Sequence, residues 1–398
     1  MTYDPLNPAV TAWPYPHYAE LRSEAPVKWL QSMQGFAVSR WDDIMTVLTD
    51  GRLYSSARFW PALLGEYDPV PEVPPMISMD PPGHMRTRRL ANKVFGPNRV
   101  NQMQEKVKSV ANSLIDDIFA KHGREGEIDF VWEFSALFPV SVIAEVLGVD
   151  LERRVDFKHW VDDVLSAGNR AAYGPERLAQ IEKSSKDIRA YFDEIYERRK
   201  EKPGEDLISA FVQAEVEGEH LSKTEVMSMA ILLLIGGVET TTNLLGITFA
   251  HLKSRPQVEA ALRADPSKLP AFLEEMLRFD GPVQMLFRHT TGDTELSGVA
   301  IPKDSLVLLL LGSGNHDERK FERSEEFVLD RNPKEIVSFG NGPHFCLGSY
   351  LSRLEAKLAM EILLARFETL TVIGDKVDWM DSYFARGPKT LPVRFKAR

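Results

Sequence analysis

The stretch FGNGPHFCLG, residues 339–348, holds the single cysteine of a 398-residue chain. Gly340 and Gly342 permit tight turns ahead of it, and Gly348 permits a close approach beside the sulfur. The following residues, SYLSRLEAKLAMEILLARF (349–367), put Leu351, Leu354, Leu358, Ile362 and Ala365 on one face, which predicts a helix. Cys346 therefore stands just before a helix N-terminus, where free N–H groups and the helix dipole favour an anion and lower a thiol's pKa. A lone cysteine is usually a small buried hydrophobe. The glycines and the helix start favour a presented thiolate instead. Without a second cysteine there is no disulfide, zinc cluster or iron–sulfur cluster to build, which leaves a nucleophile or a single axial ligand.

Around this loop the chain is 43% hydrophobic and 27% charged, with a net charge of −10. That composition reads as a soluble globular protein, and the acidic balance argues against a general nucleic-acid binder. The first 20 residues lack the basic start and apolar core of a signal peptide. The most apolar run, Met229 to Val238, is too short to cross a bilayer and stops at Glu239. The expectation is a cytoplasmic protein without a membrane anchor. Residues 27–40 predict two strands around a turn, and 41–50 a short helix. The proline-rich stretch 54–82 reads as a long loop. From about 84 to 265 the periodicity is almost wholly helical, and it turns strand-like over about 283–311.

The pattern Phe339-x-x-Gly342-x-x-x-Cys346-x-Gly348 resembles the haem-binding loop of the cytochrome P450 family. Four further stretches fit the family in order. Glu275-x-x-Arg278 would by itself be an ordinary surface pair on a helix. With Arg331 it matches the family's buried structural network. LLLIGGVETTTNLLG (232–246) puts two glycines inside an apolar helix, each costing about 1 kcal/mol against alanine. A kinked core helix would explain the threonines but not an acid on an apolar face. The resemblance implies that Gly236 passes over haem, that Thr240 hydrogen-bonds dioxygen and that Glu239 relays protons. His84 and Arg88, four residues apart in DPPGHMRTRRL (80–90), match the family's propionate-binding pair. Arg288 and His344 match two further propionate donors, and Phe339, Gly340 and Gly348 complete the cradle around Cys346, the axial iron ligand. Arg86, Arg89 and Lys93 are left as a basic patch for an acidic electron donor.

The resemblance runs from about residue 5 to the end. It implies one cytochrome P450 domain over 1–398, a mainly α-helical triangular prism with small β-sheets enclosing haem b. β-Rich portions are expected near 27–40 and 283–311, with a helical remainder. The implied reaction is monooxygenation, in which one atom of dioxygen enters a substrate, typically as C–H hydroxylation. Electrons would come from NAD(P)H through a separate ferredoxin or flavodoxin and its reductase, as in soluble bacterial-type members. A peroxide-driven haem-thiolate peroxygenase is the alternative, and a helical interaction protein with an inert cysteine is a reading from another class. The substrate pocket is expected to draw on Phe59, Leu233, Val283, Phe287 and Phe384, which are apolar and imply a lipophilic small molecule.

Overall fold

In the computed structural model, which describes residues 3–216 and 218–398, one helix organises the rest. Residues Lys223–Leu252 form a continuous helix of 30 residues. Ser222 starts it with a capping box: its hydroxyl accepts the Glu225 N–H, and the Glu225 carboxylate accepts the Ser222 N–H. By length and composition this helix could span a membrane, but 78% of its most apolar window is buried inside the protein. The run 229–238 is thus the middle of a longer core helix. Gly236 and Gly237 do not interrupt it. The long helix packs against helices Leu137–Leu147, Arg154–Ser166, Pro175–Glu201 and Ser349–Arg366. The last of these is the helix that follows the cysteine.

A five-stranded sheet flanks the helices in the order Val27–Leu30, Gly35–Val38, Leu306–Leu310, Met285–Thr290, Tyr54–Ser55. Gly35–Val38 and Leu306–Leu310 run parallel, and the other pairs are antiparallel. Strands were therefore legible in both expected portions. Other β regions, among them Glu215–Val216 with Glu219–His220, were not. Phe367–Val372, Pro392–Ala397 and Glu125–Asp129 form a three-stranded antiparallel sheet, and Asp378–Trp379 pairs with Pro388–Thr390 in a hairpin. The region from 367 onward is thus largely β, not helical. Glu125–Asp129 buries only Ile128, so it offers no alternation to read.

The stretch 54–82 is also more ordered than a loop. Phe59–Leu64 is a helix, followed by 3₁₀ turns at Gly65–Tyr67 and Met76–Ser78. Pro61 hid this helix from the sequence. It falls in the first turn, where an N–H has no intrahelical partner to lose.

Candidate functional site

The cysteine loop is built against three elements. Gly340 and Gly342 both have φ of +66°, the left-handed region open to glycine. A Cβ on Gly342 would also lie 2.5 Å from the Leu48 carbonyl oxygen. The loop closes where the Cys346 N–H donates to the Phe339 carbonyl at 2.9 Å. Arg353 lies 4.3 Å from the Phe339 ring centroid and pairs through both nitrogens with Glu274. Sequence reading missed this clamp, because Glu274 and Arg353 are 79 residues apart.

The neighbouring acid does a parallel job. Glu275 and Arg278 are fully buried and joined by two bonds of 2.8 Å. Arg331 reaches Glu275 at 3.1 Å, and the Val328 N–H donates to it at 2.9 Å. Arg278 also donates to the carbonyls of Asn315, Ser324 and Glu326. The three residues are brought together and tie the segment before the cysteine loop to the core. None is a surface pair.

A cavity of about 840 Å³ lies between the cysteine loop and the long helix. Phe339, Gly340, Cys346 and Gly348 line one side, and Gly236, Glu239 and Thr240 the other. Nothing stands within 4 Å of where a Gly236 Cβ would be, so the helix presents open space there. Burial pushes the Cys346 thiol up from its ordinary value, while the Gly348 N–H and Arg88 pull it down. The expected depression from the helix start alone is thus outweighed by desolvation. A cation opposite the sulfur is what would hold the thiolate.

His84, Arg88, Arg288 and His344 all reach this cavity. The His84 and His344 rings lie 4.1 Å apart, and both nitrogens of His84 are buried without a partner among the described residues. Burial lowers His84, with Arg88 adding to the effect. Burial, then Arg288, pushes His344 down to about 3. Arg288 is held down to about 10 by burial and, among the described residues, bonds only the Phe287 carbonyl, at 2.7 Å. Four cation-forming groups without a bonded carboxylate among the described residues are a site for an anion. They fit the two carboxylates of a porphyrin, and the open space at Gly236 fits its face.

Across the cavity, the Thr240 hydroxyl donates to the Gly236 carbonyl at 2.9 Å. Glu239 is buried; one of its oxygens accepts from Asn243 at 3.1 Å and the other lies 3.6 Å from Lys158 Nζ. Lys158 also pairs with Asp162, whose side chain is 38% exposed. Burial alone would lower the Lys158 pKa, but Glu239 and Asp162 raise it. Lys158 and Asp162 are four residues apart on one helix, and the contact with Glu239 crosses to another. Glu355 was missed altogether. It is buried on the cysteine helix, lines the cavity and has one oxygen without a partner among the described residues.

Of the expected pocket residues, Phe59, Leu233, Val283 and Phe384 line the cavity. Phe287 does not. Leu286 and Arg288 face the cavity, so alternation along the strand turns Phe287 away from it. It packs behind Phe59, with ring centroids 5.7 Å apart. The basic patch also changes. Arg86 is paired with Glu219 and, at 2.7 Å, with Glu225, whereas Lys93 donates to the neutral Glu215 carbonyl.

The family profile described as Cytochrome P450 matches residues 24–395. Among curated relatives, 6-deoxyerythronolide B hydroxylase of Saccharopolyspora erythraea is 34% identical over 395 residues, covering 96% of this chain and 95% of that protein. Among solved structures, cytochrome P450 CYP109Q5 from Chondromyces apiculatus matches with a TM-score of 0.91 at 39% identity, over 100% of this chain and 98% of that one. CYP109E1 from Bacillus megaterium, in complex with testosterone, matches with a TM-score of 0.85 at 32% identity, over 96% and 99%. The chain belongs to the cytochrome P450 family, with haem b as its cofactor and monooxygenation as its chemistry.

Proposed function

We propose that this P450 hydroxylates a lipophilic small molecule, using electrons from NAD(P)H that arrive through a separate ferredoxin or flavodoxin and its reductase. The observation that carries this reading is the meeting, on one cavity, of Cys346, four cation-forming groups and an acid–alcohol pair. Bound haem supplies dioxygen activation, and a cysteinate donor favours O–O cleavage. Cys346 would give the axial thiolate. His84, Arg88, Arg288 and His344 would hold the porphyrin carboxylates through charge-assisted bonds. Reducing one oxygen atom to water consumes two protons, which must be delivered in order. Thr240, whose proton goes to the Gly236 carbonyl, would face the cavity with its hydroxyl oxygen as a hydrogen-bond acceptor. Glu239 would exchange protons between that side and the half-exposed Asp162, with Lys158 holding the two carboxylates in register.

The electron donor would dock where the cysteine lies nearest the surface. Met85, Phe345 and Tyr350 are exposed apolar side chains on the elements that carry His84 and Cys346. With Arg86 paired within the chain, Lys93 adds a charge to a contact that would otherwise rest on apolar surface. The substrate assignment rests on the aromatic and aliphatic walls, and CYP109E1 with bound testosterone supports it.

Cys346→Ser tests the core of this reading. The wild-type reduced carbon monoxide complex should show the thiolate-type red shift, and the variant should lose both that band and NAD(P)H-dependent product. An unchanged band in the variant would refute the ligand assignment. Turnover with hydrogen peroxide, but none with NAD(P)H and donor proteins, would establish the peroxygenase instead. The Glu239–Lys158 pairing favours the oxygenase, since a peroxide-driven enzyme does not need that relay.

A further inference from the structure

Part of the cavity wall is the loop 380–385, at the tip of the hairpin formed by Asp378–Trp379 and Pro388–Thr390. It contributes Met380, Tyr383 and Phe384. Such a loop would be mobile unless held, and it is held at two places. On one side the hairpin sits directly on the long helix. A Cβ on Gly246 would lie 2.6 Å from Pro388, and a Cβ on Gly387 would collide with Asn243.

The other anchor is Arg386. Its N–H donates to the Pro282 carbonyl at 2.8 Å, and the Gln284 N–H donates to the Phe384 carbonyl at 2.9 Å. These bonds set 282–284 against 384–386 as a short antiparallel bridge at Val283 and Ala385. The side chain goes the other way, into the core. Nε donates to Asp280 at 2.7 Å, and Nη1 donates to the carbonyls of Thr11 and Ala12 at 3.1 and 2.7 Å. The guanidinium lies 3.8 Å from the Trp379 ring centroid and 5.5 Å from that of Trp13. Asp280 is itself fixed, by Tyr15 at 2.5 Å and His251 at 2.8 Å. Pro5, Leu6, Pro8 and Thr11, which belong to the segment gripped by Nη1, line the same cavity.

We infer that Arg386 is a positioning residue for substrate. It joins three parts of the cavity wall that are far apart in sequence: the N-terminal segment, residues 282–284 and the loop 380–385. It touches neither the cysteine loop nor the acid–alcohol pair. Its effect falls on ligands long enough to reach the loop and spares those that need only the iron. The inference rests on the haem-thiolate reading above.

The test uses holoenzyme and two iron-binding probes. Imidazole needs only the cofactor's open face, whereas 1-dodecylimidazole must also extend along the cavity wall. Arg386→Ala should raise the dissociation constant of 1-dodecylimidazole about tenfold and leave imidazole within about twofold. Arg386→Lys, which keeps the charge but not the planar fork, should restore part of the difference. Trp379→Leu removes only the ring under the guanidinium and should give the same selective loss at about threefold. It decides the matter alone if the alanine variant yields no holoprotein. Equal losses for both probes, or no selective loss in either variant, overturn the inference. Failure of the haem-thiolate reading is seen separately, as a missing carbon monoxide band in the wild type.

Discussion

Burial favours the neutral form of a carboxyl group, and Glu355 is buried on the cysteine helix. Burial raises its pKa well above the ordinary value, and the hydrogen bond with Thr241 only partly opposes this. The sign of the consequence follows from proton linkage. Above the unfolded pKa of about 4.3 the unfolded chain releases a proton that the folded one retains, so the group's contribution to stability is lost as pH rises. Glu355→Gln removes this dependence. Thermal unfolding of holoprotein between pH 5 and 8 should show the variant gaining on the wild type, by up to about 1.4 kcal/mol per pH unit. Parallel curves would show that Glu355 is ionised. The contrast with Cys346 shows what the sequence makes legible. The cysteine was readable because its type, its uniqueness and its flanking glycines point one way. Glu355 lies on a helix rich in Arg, Lys and Glu, where an acid reads as solvated, and its burial beside Thr241 of the long helix comes from packing. Lys158 was hidden for the same reason. Its partnership with Glu239 is a contact between helices, which the periodicity of either one cannot reveal.

At the scale of elements, the long helix accepts the adjacent pair Gly236 and Gly237 where alanine would be favoured by about 1 kcal/mol each. They differ in what surrounds them. A Gly237 Cβ would meet Ile143 at an ordinary 3.7 Å, whereas a Gly236 Cβ would meet nothing. Gly236→Ala should therefore fold at least as stably without haem. In holoenzyme it should weaken imidazole binding by about tenfold, because the added methyl would enter the open part of the cavity that faces the cysteine loop. Unchanged imidazole affinity would show that the helix does not border the ligand position there. The helices were the most legible elements because their apolar stripes are long. The C-terminal strands alternate too, as in Pro392–Ala397, but they are short and lie near turn residues that break the pattern. Phe287 was misread for a related reason. A strand shows which residues share a face, but only the fold decides which face meets the cavity.

At the scale of the whole molecule, the cavity is roofed by segments that the chain brings together from far apart. Two arginines hold that roof. Arg170 donates to the carbonyls of Ala167, Leu63 and Ala62, across the end of the Phe59–Leu64 helix. Arg189 pairs with both oxygens of Glu72 at 2.7 and 2.9 Å and donates to the Pro69 carbonyl. The Arg189–Glu72 pair is exposed, so it should add at most about 1 kcal/mol to stability. Its larger effect should be kinetic. In stopped-flow measurements Arg189→Ala should release 1-dodecylimidazole roughly threefold faster, with little change in melting temperature. An unchanged release rate would place the route of exit elsewhere.

The placing of Pro5, Leu6, Pro8 and Thr11 in the cavity wall has a practical side. A bulky fusion ahead of Tyr3 would stand close to these wall residues. The strand Pro392–Ala397 contributes no residue to that wall and pairs with Phe367–Val372 and Glu125–Asp129 on either side. An engineered electron-donor module is better tethered after Arg398, where its linker can swing without brushing them.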